Sequence, residues 1–184
     1  MNKTIGWSIV GTIIVIAGLI LGVPHLLSGH PAGDTHAPTT QAIAPRPDCP
    51  LRTVRGVELE CLGGEKGDAE DVDKQKTLIN VWAWWCQPCR AELPVVEEFA
   101  RAHPEYTVVG VHADQNAGNG AALLEDIGVG LPSYQDDSGA FAAEQGLPPV
   151  VPVTVVLRGG DQVAVFAREF TSAEELAAAV EGAL

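Results

Sequence analysis

The sequence predicts an α/β fold in which helices cover both faces of a mixed β-sheet. Apolar runs of strand length alternate along the chain with segments of helical periodicity. Residues 49–184 are numerous enough to form one domain with a proper core. Near the C-terminus, the turn sequence Arg158-Gly-Gly-Asp161 separates two short apolar runs and predicts a β-hairpin.

Each element is predicted from its own local pattern. Glycine ends two of the helical segments, at Gly128 and Gly146, and Ser172 provides a cap for the last one. The predicted strands are 54–60 (a strand or a hairpin), 78–83, 106–112, and the hairpin pair 153–157 and 162–168. The predicted helices are 90–103, interrupted by Pro94, then 117–127, 139–145 and a C-terminal helix after Ser172.

An uncharged, mostly apolar stretch of 19 residues runs from position 5 to position 23. As a helix it would be roughly 28 Å long, close to the roughly 30 Å hydrocarbon core of a bilayer. Lys3 and the amino terminus are the only charges before it, so the positive-inside rule sends the rest of the chain across the membrane. The alternative is a cleaved signal peptide, but no convincing small-x-small site follows. Residues 1–23 are therefore predicted to be a retained, single-pass anchor.

Residues 24–48 are predicted to be a flexible linker. Proline recurs there among Gly, Ser, Thr, Ala and His, with no apolar periodicity. Such a segment cannot bury enough surface to fold, and it acts as an extended tether. His25, His30 and His36 lie in it, but their irregular spacing favours a solvated spacer over metal capture.

The charge of the chain is strongly negative, with 11 Lys and Arg against 24 Asp and Glu, a net charge of −13. Lys3 and Arg46 cancel Asp34 and Asp48 in the anchor and the linker, so the whole excess lies on residues 49–184. An acidic domain argues against binding to nucleic acid and to anionic lipid headgroups.

Two cysteines, Cys86 and Cys89, lie between a predicted strand and a predicted helix. This order puts Cys86 at the exposed first turn of the helix, where unpaired N–H groups and the helix dipole favour thiolate over thiol. A thiolate with a second thiol in reach can attack a disulfide and then resolve the mixed disulfide. Gln87 and Pro88 set the turn into the helix and influence the redox potential. A zinc knuckle would need four ligands, and covalent haem would need histidine where Arg90 stands.

The segment Asn80-Val-Trp-Ala-Trp-Trp-Cys-Gln-Pro-Cys-Arg-Ala-Glu-Leu-Pro94 resembles the active-site segment of the thioredoxin superfamily. Within that superfamily, the chain is similar to the membrane-anchored TlpA/ResA group, which faces the periplasm or the outer side of the cell membrane. Val151-Pro-Val-Thr154 resembles the family's cis-proline loop, and residues 113–135 match the insertion typical of the group. The resemblance implies a thioredoxin-like three-layer α/β/α sandwich with a mixed sheet and a TlpA-type central insertion.

The resemblance also implies roles for individual residues. Cys86 is the attacking cysteine, and Cys89 is the resolving one. The Val151–Pro152 peptide bond is expected to be cis, in a loop that faces the cysteines and offers the backbone of Val151 to the substrate chain. Trp85 is expected to pack beside Cys86 and to shape the exposed rim of the site.

Two positions bear on proton handling. Asn80 stands where thioredoxin has a buried Asp, and TlpA-like proteins commonly have Asn there. Glu92 occupies the place of a glutamate that lies near the active site in ResA-like members, and it is predicted to tune the cysteine pair; the alternative is an ordinary solvated glutamate early in a helix.

Trp82 is a predicted core residue, whereas Trp84 either widens an apolar platform for a protein substrate or fills a gap in the fold.

Cys49 and Cys61 bracket the first predicted strand, in a region expected outside the cytoplasm, where thiols tend to be oxidised. Because Cys86 and Cys89 account for one pair, Cys49 and Cys61 are predicted to form a structural disulfide worth on the order of 3 kcal/mol. The alternative is two free, buried cysteines.

The resulting hypothesis is an extracytoplasmic thiol–disulfide oxidoreductase, anchored in the cell membrane, that reduces disulfides of exported proteins. The expected partners are those protein substrates and a membrane electron carrier, such as one serving cytochrome c biogenesis, which would restore the dithiol; no cofactor and no metal are expected. The alternatives are a disulfide-forming oxidase or isomerase of the same fold, a peroxiredoxin-like peroxidase, and a non-catalytic adaptor. The peroxidase would require Thr before its reactive cysteine, where this chain has Trp84-Trp85.

Overall fold

Within residues 43–69 and 76–184, which the computed structural model describes, six strands form a mixed sheet. The strands are β1 Cys49–Leu51, β2 Glu60–Cys61, β3 Lys66–Ala69, β4 Lys76–Trp82, β5 Tyr106–His112, β6 Ser133–Gln135, β7 Val153–Arg158 and β8 Asp161–Phe166. The helices are α1 Gln87–Ala102, α2 Ala117–Asp126, α3 Ala140–Glu144 and α4 Ala173–Glu181. The sheet has the order β2–β6–β5–β4–β7–β8, and β1 pairs separately with β3.

The central strands are continuous apolar runs because the sheet is covered on both faces. β4 pairs with β5 in parallel and with β7 in antiparallel orientation, with Val81 opposite Val153. The strands predicted for the centre of the sheet and for the C-terminal hairpin are confirmed, with shifts of one or two residues at their ends.

Helix α1 is one continuous helix, so the predicted interruption at Pro94 is wrong. Proline inside a helix removes a hydrogen bond and costs about 3 kcal/mol. Leu93, Val96 and Phe99 are buried on the face of α1 that packs into the core, and each such side chain contributes about 1.5–3 kcal/mol. Burial of this face therefore outweighs the loss at Pro94.

The other predicted helices are confirmed, together with the signals at their ends. The Ser172 hydroxyl accepts a hydrogen bond from the backbone N–H of Glu175 (3.2 Å) at the start of α4. Gly128 and Gly146 have φ values of 69° and 62° just beyond α2 and α3, a conformation that glycine adopts readily. Helix α2 and strand β6 lie in the segment 113–135, which was matched to the insertion typical of the TlpA/ResA group.

The region before β4 differs from the prediction. Instead of a strand or hairpin across 54–60, Val54 and Val57 form an isolated bridge around a turn at Arg55 and Gly56. The short edge strand β2 follows this turn. Alternation of apolar residues here reflects burial against the sheet rather than strand pairing. The parallel pair β1–β3 was not predicted, because Lys66–Ala69 carries no apolar pattern.

Two buried clusters lie on opposite faces of the sheet, as the alternation of strand side chains requires. Leu78 and Trp82 belong to one cluster, with the buried faces of α1, α2 and α4. Ile79 and Val81 belong to the other, with the N-terminal segment and Phe141 of α3. The sheet is therefore the middle of three layers.

Residues 43–48, which were assigned to the predicted linker, lie against the domain. Ile43 packs on the cluster that contains α1. The backbone N–H of Arg46 donates to the carbonyl of Gly63 (2.9 Å), and its guanidinium donates to the carbonyl of Val129. The packed region therefore starts before the predicted boundary at Cys49.

The rest of the predicted linker and the predicted anchor at residues 1–23 lie outside the described residues. Among residues 43–69 and 76–184, no helix has the length and apolar character needed to cross a membrane.

Candidate active site

Cys86 and Cys89 lie at the junction between β4 and α1. Cys86 is the N-cap residue of α1, which begins at Gln87 rather than at the predicted Arg90. The backbone N–H of Cys89 donates a hydrogen bond to the Cys86 sulfur (3.1 Å), as expected for an unpaired N–H group at a helix start. A disulfide joins the two cysteines. Cys86 is 5% exposed and Cys89 is fully buried, so a molecule that approaches from outside meets Cys86 first.

Gln87 and Pro88 form the exposed first turn of α1, between the two cysteines. Backbone N–H groups in the first turn of a helix have no partner within the helix, so proline loses no hydrogen bond there. The dipeptide therefore allows the helix to start directly at Cys86.

The Val151–Pro152 peptide bond is cis. Because Val81 pairs with Val153, the segment before β7 lies beside the segment that follows β4 and carries Cys86. Val151 is half-buried and packs against the cluster that contains both Cys86 and Cys89. The structure thus brings the predicted substrate-binding loop to the same end of the sheet as the cysteine pair.

Glu92 is fully buried, so the alternative of an ordinary solvated glutamate is wrong. Its carboxylate accepts hydrogen bonds from the Asn80 side-chain amide (2.9 Å) and from the backbone N–H of Phe170 (3.0 Å). The Asn80 amide also donates to the Thr154 hydroxyl (3.2 Å), two residues after Pro152. Burial raises the pKa of Glu92 to about 6, although the two hydrogen bonds oppose this shift.

Trp84 and Trp85 are exposed at the rim of the site, whereas Trp82 is buried in the core as predicted. The indole N–H groups of Trp84 and Trp85 both donate to the carboxylate of Asp114, each at 3.0 Å. Sequence reasoning did not identify Asp114. The signal was available, because Asp114 follows β5 and the carboxyl ends of parallel strands meet at one edge of a sheet.

Trp84 also lines an open cleft of about 350 Å³ between α1 and α2. The remaining lining residues are Arg90, Asn119, Ala122, Leu123 and Asp126. Arg90 and Asp126 form an ion pair across this cleft. The rim of the site therefore continues from the tryptophans onto α2.

Cys49 and Cys61 are joined by a disulfide between β1 and the edge strand β2, so the alternative of two free cysteines does not hold. Cys49 is buried, and Cys61 pairs with Tyr134 of β6. Among residues 43–69 and 76–184, no group of three or more His, Cys, Asp and Glu side chains is arranged to hold a metal ion.

The raised pKa of Glu92 makes folding pH-dependent. The folded chain binds the proton of the Glu92 carboxyl more tightly than the unfolded chain, in which the pKa has its ordinary value of 4.5. The stability that this proton gives to the folded state is therefore fully present below about pH 4.5 and is lost as the pH rises through about 6. A shift from 4.5 to about 6 corresponds to about 2 kcal/mol. Between pH 4.5 and 7 the unmodified protein should lose about this much free energy of unfolding, whereas Glu92→Gln, which has no carboxyl to titrate at this position, should not. The stability of Glu92→Gln relative to the unmodified protein should therefore rise by about 2 kcal/mol across this pH range.

Urea denaturation at a series of pH values measures this difference. Glu98→Gln is the matched control, because Glu98 is exposed on the same helix. A Glu92→Gln variant whose stability followed that of the unmodified protein at every pH would contradict the assignment.

Comparisons with known proteins identify the family to which the sequence is similar. Residues 51–163 match the AhpC/TSA family. The chain is 34% identical over 94 residues to the thiol:disulfide interchange protein HelX of Rhodobacter capsulatus, across 50% of this chain and 42% of HelX. The chain spans about half or less of the length of the curated relatives it matches.

Solved structures show the same fold. A secreted Mycobacterium tuberculosis disulfide oxidoreductase, described as homologous to Escherichia coli DsbE, matches with a TM-score of 0.57 at 21% identity, over 67% of this chain and 93% of that chain. A secreted thiol-disulfide isomerase from Corynebacterium glutamicum matches with a TM-score of 0.52 at 31% identity, over 59% of this chain and 71% of that chain. The expected thioredoxin-like α/β fold with a mixed sheet is thereby confirmed. Since the family match takes in more than half of the sequence, including both cysteines at the start of α1, the chain belongs to the AhpC/TSA family.

Proposed function

We propose that this protein is a thiol–disulfide oxidoreductase that reduces disulfides of exported proteins. The observation that carries the proposal is the hydrogen bond from the Cys89 N–H to the Cys86 sulfur at the first turn of α1. With the pair reduced, the same N–H group and the helix dipole stabilise a thiolate at Cys86. HelX, whose name describes thiol:disulfide interchange, supports this chemistry.

In the first step, the Cys86 thiolate attacks one sulfur of a substrate disulfide. A bond forms between the Cys86 sulfur and that substrate sulfur, and the substrate disulfide bond breaks. The second substrate sulfur leaves as a thiolate and takes a proton from water. Cys86 performs this step because Cys89 has no exposed surface.

In the second step, Cys89 loses its thiol proton and attacks the Cys86 sulfur. The Cys86–Cys89 disulfide forms, the mixed disulfide breaks, and the substrate leaves with its first-attacked sulfur as a thiolate that is then protonated. The substrate has gained two electrons and two protons, and the protein is left in the oxidised form of this structure.

The substrate chain docks along Val151 and Pro152, beside the indole of Trp85. Trp85 is 58% exposed, and Val150, next to this loop, is 53% exposed. A contiguous patch of exposed apolar groups is typical of interaction surfaces. The backbone of Val151 is the group that pairs with the substrate chain.

Glu92 tunes the cysteine pair. It follows Cys89 by three residues on α1, so the two side chains are neighbours on one face of the helix. Above about pH 6 its carboxylate is charged, and this charge opposes a second negative charge on Cys89. The Glu92→Gln variant should therefore flatten the pH dependence of exchange around pH 6, and an unchanged profile would remove this role.

The protein works on the outer side of the cell membrane, anchored by a single span at residues 5–23. Relatives in the solved structures are named as secreted proteins, which supports an extracytoplasmic location. A membrane electron carrier returns the Cys86–Cys89 pair to the dithiol after each turnover, since the reaction leaves the pair oxidised.

Insulin reduction by the full chain tests the function, with dithiothreitol as the electron donor. We expect the chain to accelerate the reduction well above the rate with dithiothreitol alone, and no acceleration would overturn the proposal. A protein that consumed peroxide but did not reduce insulin would be a peroxidase, and one that did neither would be an adaptor.

The direction of exchange is tested in intact cells by trapping Cys86 and Cys89 with a mass-shift alkylating reagent. A mostly reduced pair supports the reductase. A mostly oxidised pair favours the disulfide-forming alternative, because the same two steps run in reverse in an oxidase or isomerase.

A further inference from the structure

One carboxylate holds both of the exposed tryptophans that precede Cys86. Oδ1 of Asp114 accepts a hydrogen bond from the indole N–H of Trp84, and Oδ2 accepts one from the indole N–H of Trp85, each at 3.0 Å. Oδ1 also accepts the backbone N–H of Asn116 (2.8 Å), which begins the turn into α2. Asp114 therefore fixes two adjacent rings and ties them to the segment that carries α2.

Folding alone does not require these indole hydrogen bonds. Trp84 is 38% exposed and Trp85 is 58% exposed, so water is available to both N–H groups if Asp114 is absent. The more exposed ring, Trp85, has less than half of its surface buried in contacts that would hold one rotamer. The hydrogen bonds to Asp114 thus order the rim of the site more than they stabilise the core.

Asp114 is suited to hold two donors at once. The N–H groups of Asn116, Trp85 and Trp84 keep the pKa of Asp114 below its ordinary value, so the group is a carboxylate, which only accepts hydrogen bonds. Hydrogen bonds to a charged acceptor are stronger than those between neutral groups. Replacing one oxygen by a donor therefore affects one indole selectively.

We propose that Asp114 is a positioning residue that gives the exchange reaction its preference for protein substrates. By fixing Trp84 and Trp85 beside Cys86, it preorganises an apolar platform for an extended apolar segment next to the substrate disulfide. A preorganised platform loses less side-chain freedom when the segment binds. A small disulfide that reaches the Cys86 sulfur without covering the indoles gains nothing from this order. This inference rests on the proposed function.

The Asp114→Asn variant separates the two indoles. With the amide oxygen at the position of Oδ1, Asn keeps the hydrogen bonds from Trp84 and Asn116 and points its NH₂ group at the N–H of Trp85. The opposite orientation would set NH₂ against two donors, so the first is favoured. The variant should therefore release Trp85 and leave the turn into α2 intact.

Two substrates test the preference, labelled insulin and the small, non-aromatic 2-hydroxyethyl disulfide. With Asp114→Asn, we expect the KM for insulin to rise about three- to tenfold while kcat changes little. The rate with 2-hydroxyethyl disulfide should stay within about twofold of the unmodified protein. NMR of the indole N–H signals should show faster hydrogen exchange for Trp85 and not for Trp84.

Trp85→Phe provides a second route to the same result, because it removes the N–H group and keeps an aromatic ring. If Asp114 acts through this N–H group, the double variant should raise the insulin KM no more than either single variant does. Asp137→Asn is the matched control. Asp137 accepts from the Gln135 side chain, which also contacts the backbone of Asp114, and it contacts neither indole.

An insulin KM unchanged by Asp114→Asn would overturn the inference, as would an equal loss with both substrates or additive effects in the double variant. A rise of the same size with Asp137→Asn would assign the effect to charge alone and would also overturn it. None of these outcomes would contradict the proposed function, provided that the unmodified protein reduces both insulin and 2-hydroxyethyl disulfide. An unmodified protein that reduced neither would instead overturn the proposed function itself.

Discussion

A Cys86→Ser variant is expected to lose thiol–disulfide exchange almost completely, with the rate of insulin reduction falling by about a thousandfold or more. A serine hydroxyl is not ionised near neutral pH, and it cannot form a mixed disulfide with the substrate. Cys89 does not replace Cys86, because it is fully buried behind it. The initial rate with the full chain and dithiothreitol measures the loss.

Cys89→Ser is the control for this variant, because it keeps the attacking sulfur and removes the resolving one. It should accumulate a mixed disulfide between Cys86 and the substrate, visible on a non-reducing gel and located by peptide mapping. A Cys86→Ser variant that kept most of its activity, or a mixed disulfide located at Cys61, would contradict the assigned order of attack.

Replacing both Cys49 and Cys61 by alanine is expected to lower the free energy of unfolding by about 3 kcal/mol. The disulfide closes a loop with a sequence separation of 12, and it restricts the unfolded chain accordingly. In the folded chain it joins β1 to the sheet edge at β2. The exchange rate should stay within about twofold, because this pair takes no part in the reaction.

Urea denaturation under oxidising conditions measures the loss, and the same titration with both proteins reduced is the control. With the disulfides reduced, most of the difference between the two proteins should disappear. Equal stability under oxidising conditions would contradict the structural role. A stable variant that had lost exchange activity would instead make Cys49 and Cys61 a second redox centre.

Most of the fold could be predicted, because its central elements carry strong local signals. The apolar runs that became β4 and β5 and the Gly128 and Ser172 signals at helix ends each depend on nearby residues. The continuity of α1 through Pro94 depends instead on burial against the sheet, which no local rule contains. The pairing of β1 with β3 depends on contact between segments without an apolar pattern.

The active site was predictable in its cysteines and less so in its surroundings. The position of Cys86 at a helix start follows from the order of strand, cysteines and helix. The complete burial of Glu92 does not follow from the order of the local elements. Its hydrogen-bond partners, Asn80 and Phe170, lie on other elements and meet its carboxylate only in the folded chain. Asp114 is different: it follows β5 as Trp84 and Trp85 follow β4, so the meeting of the carboxyl ends of parallel strands could have identified it.

The central claim is that the start of α1 holds the Cys86 sulfur as a thiolate when the pair is reduced. Alkylation of the reduced full chain with iodoacetamide near pH 6.5, followed by peptide mapping, tests it most directly. The account predicts that Cys86 is modified several times faster than free cysteine at the same pH, while Cys89 is protected by burial. Modification of Cys86 at or below the rate of free cysteine would contradict the account.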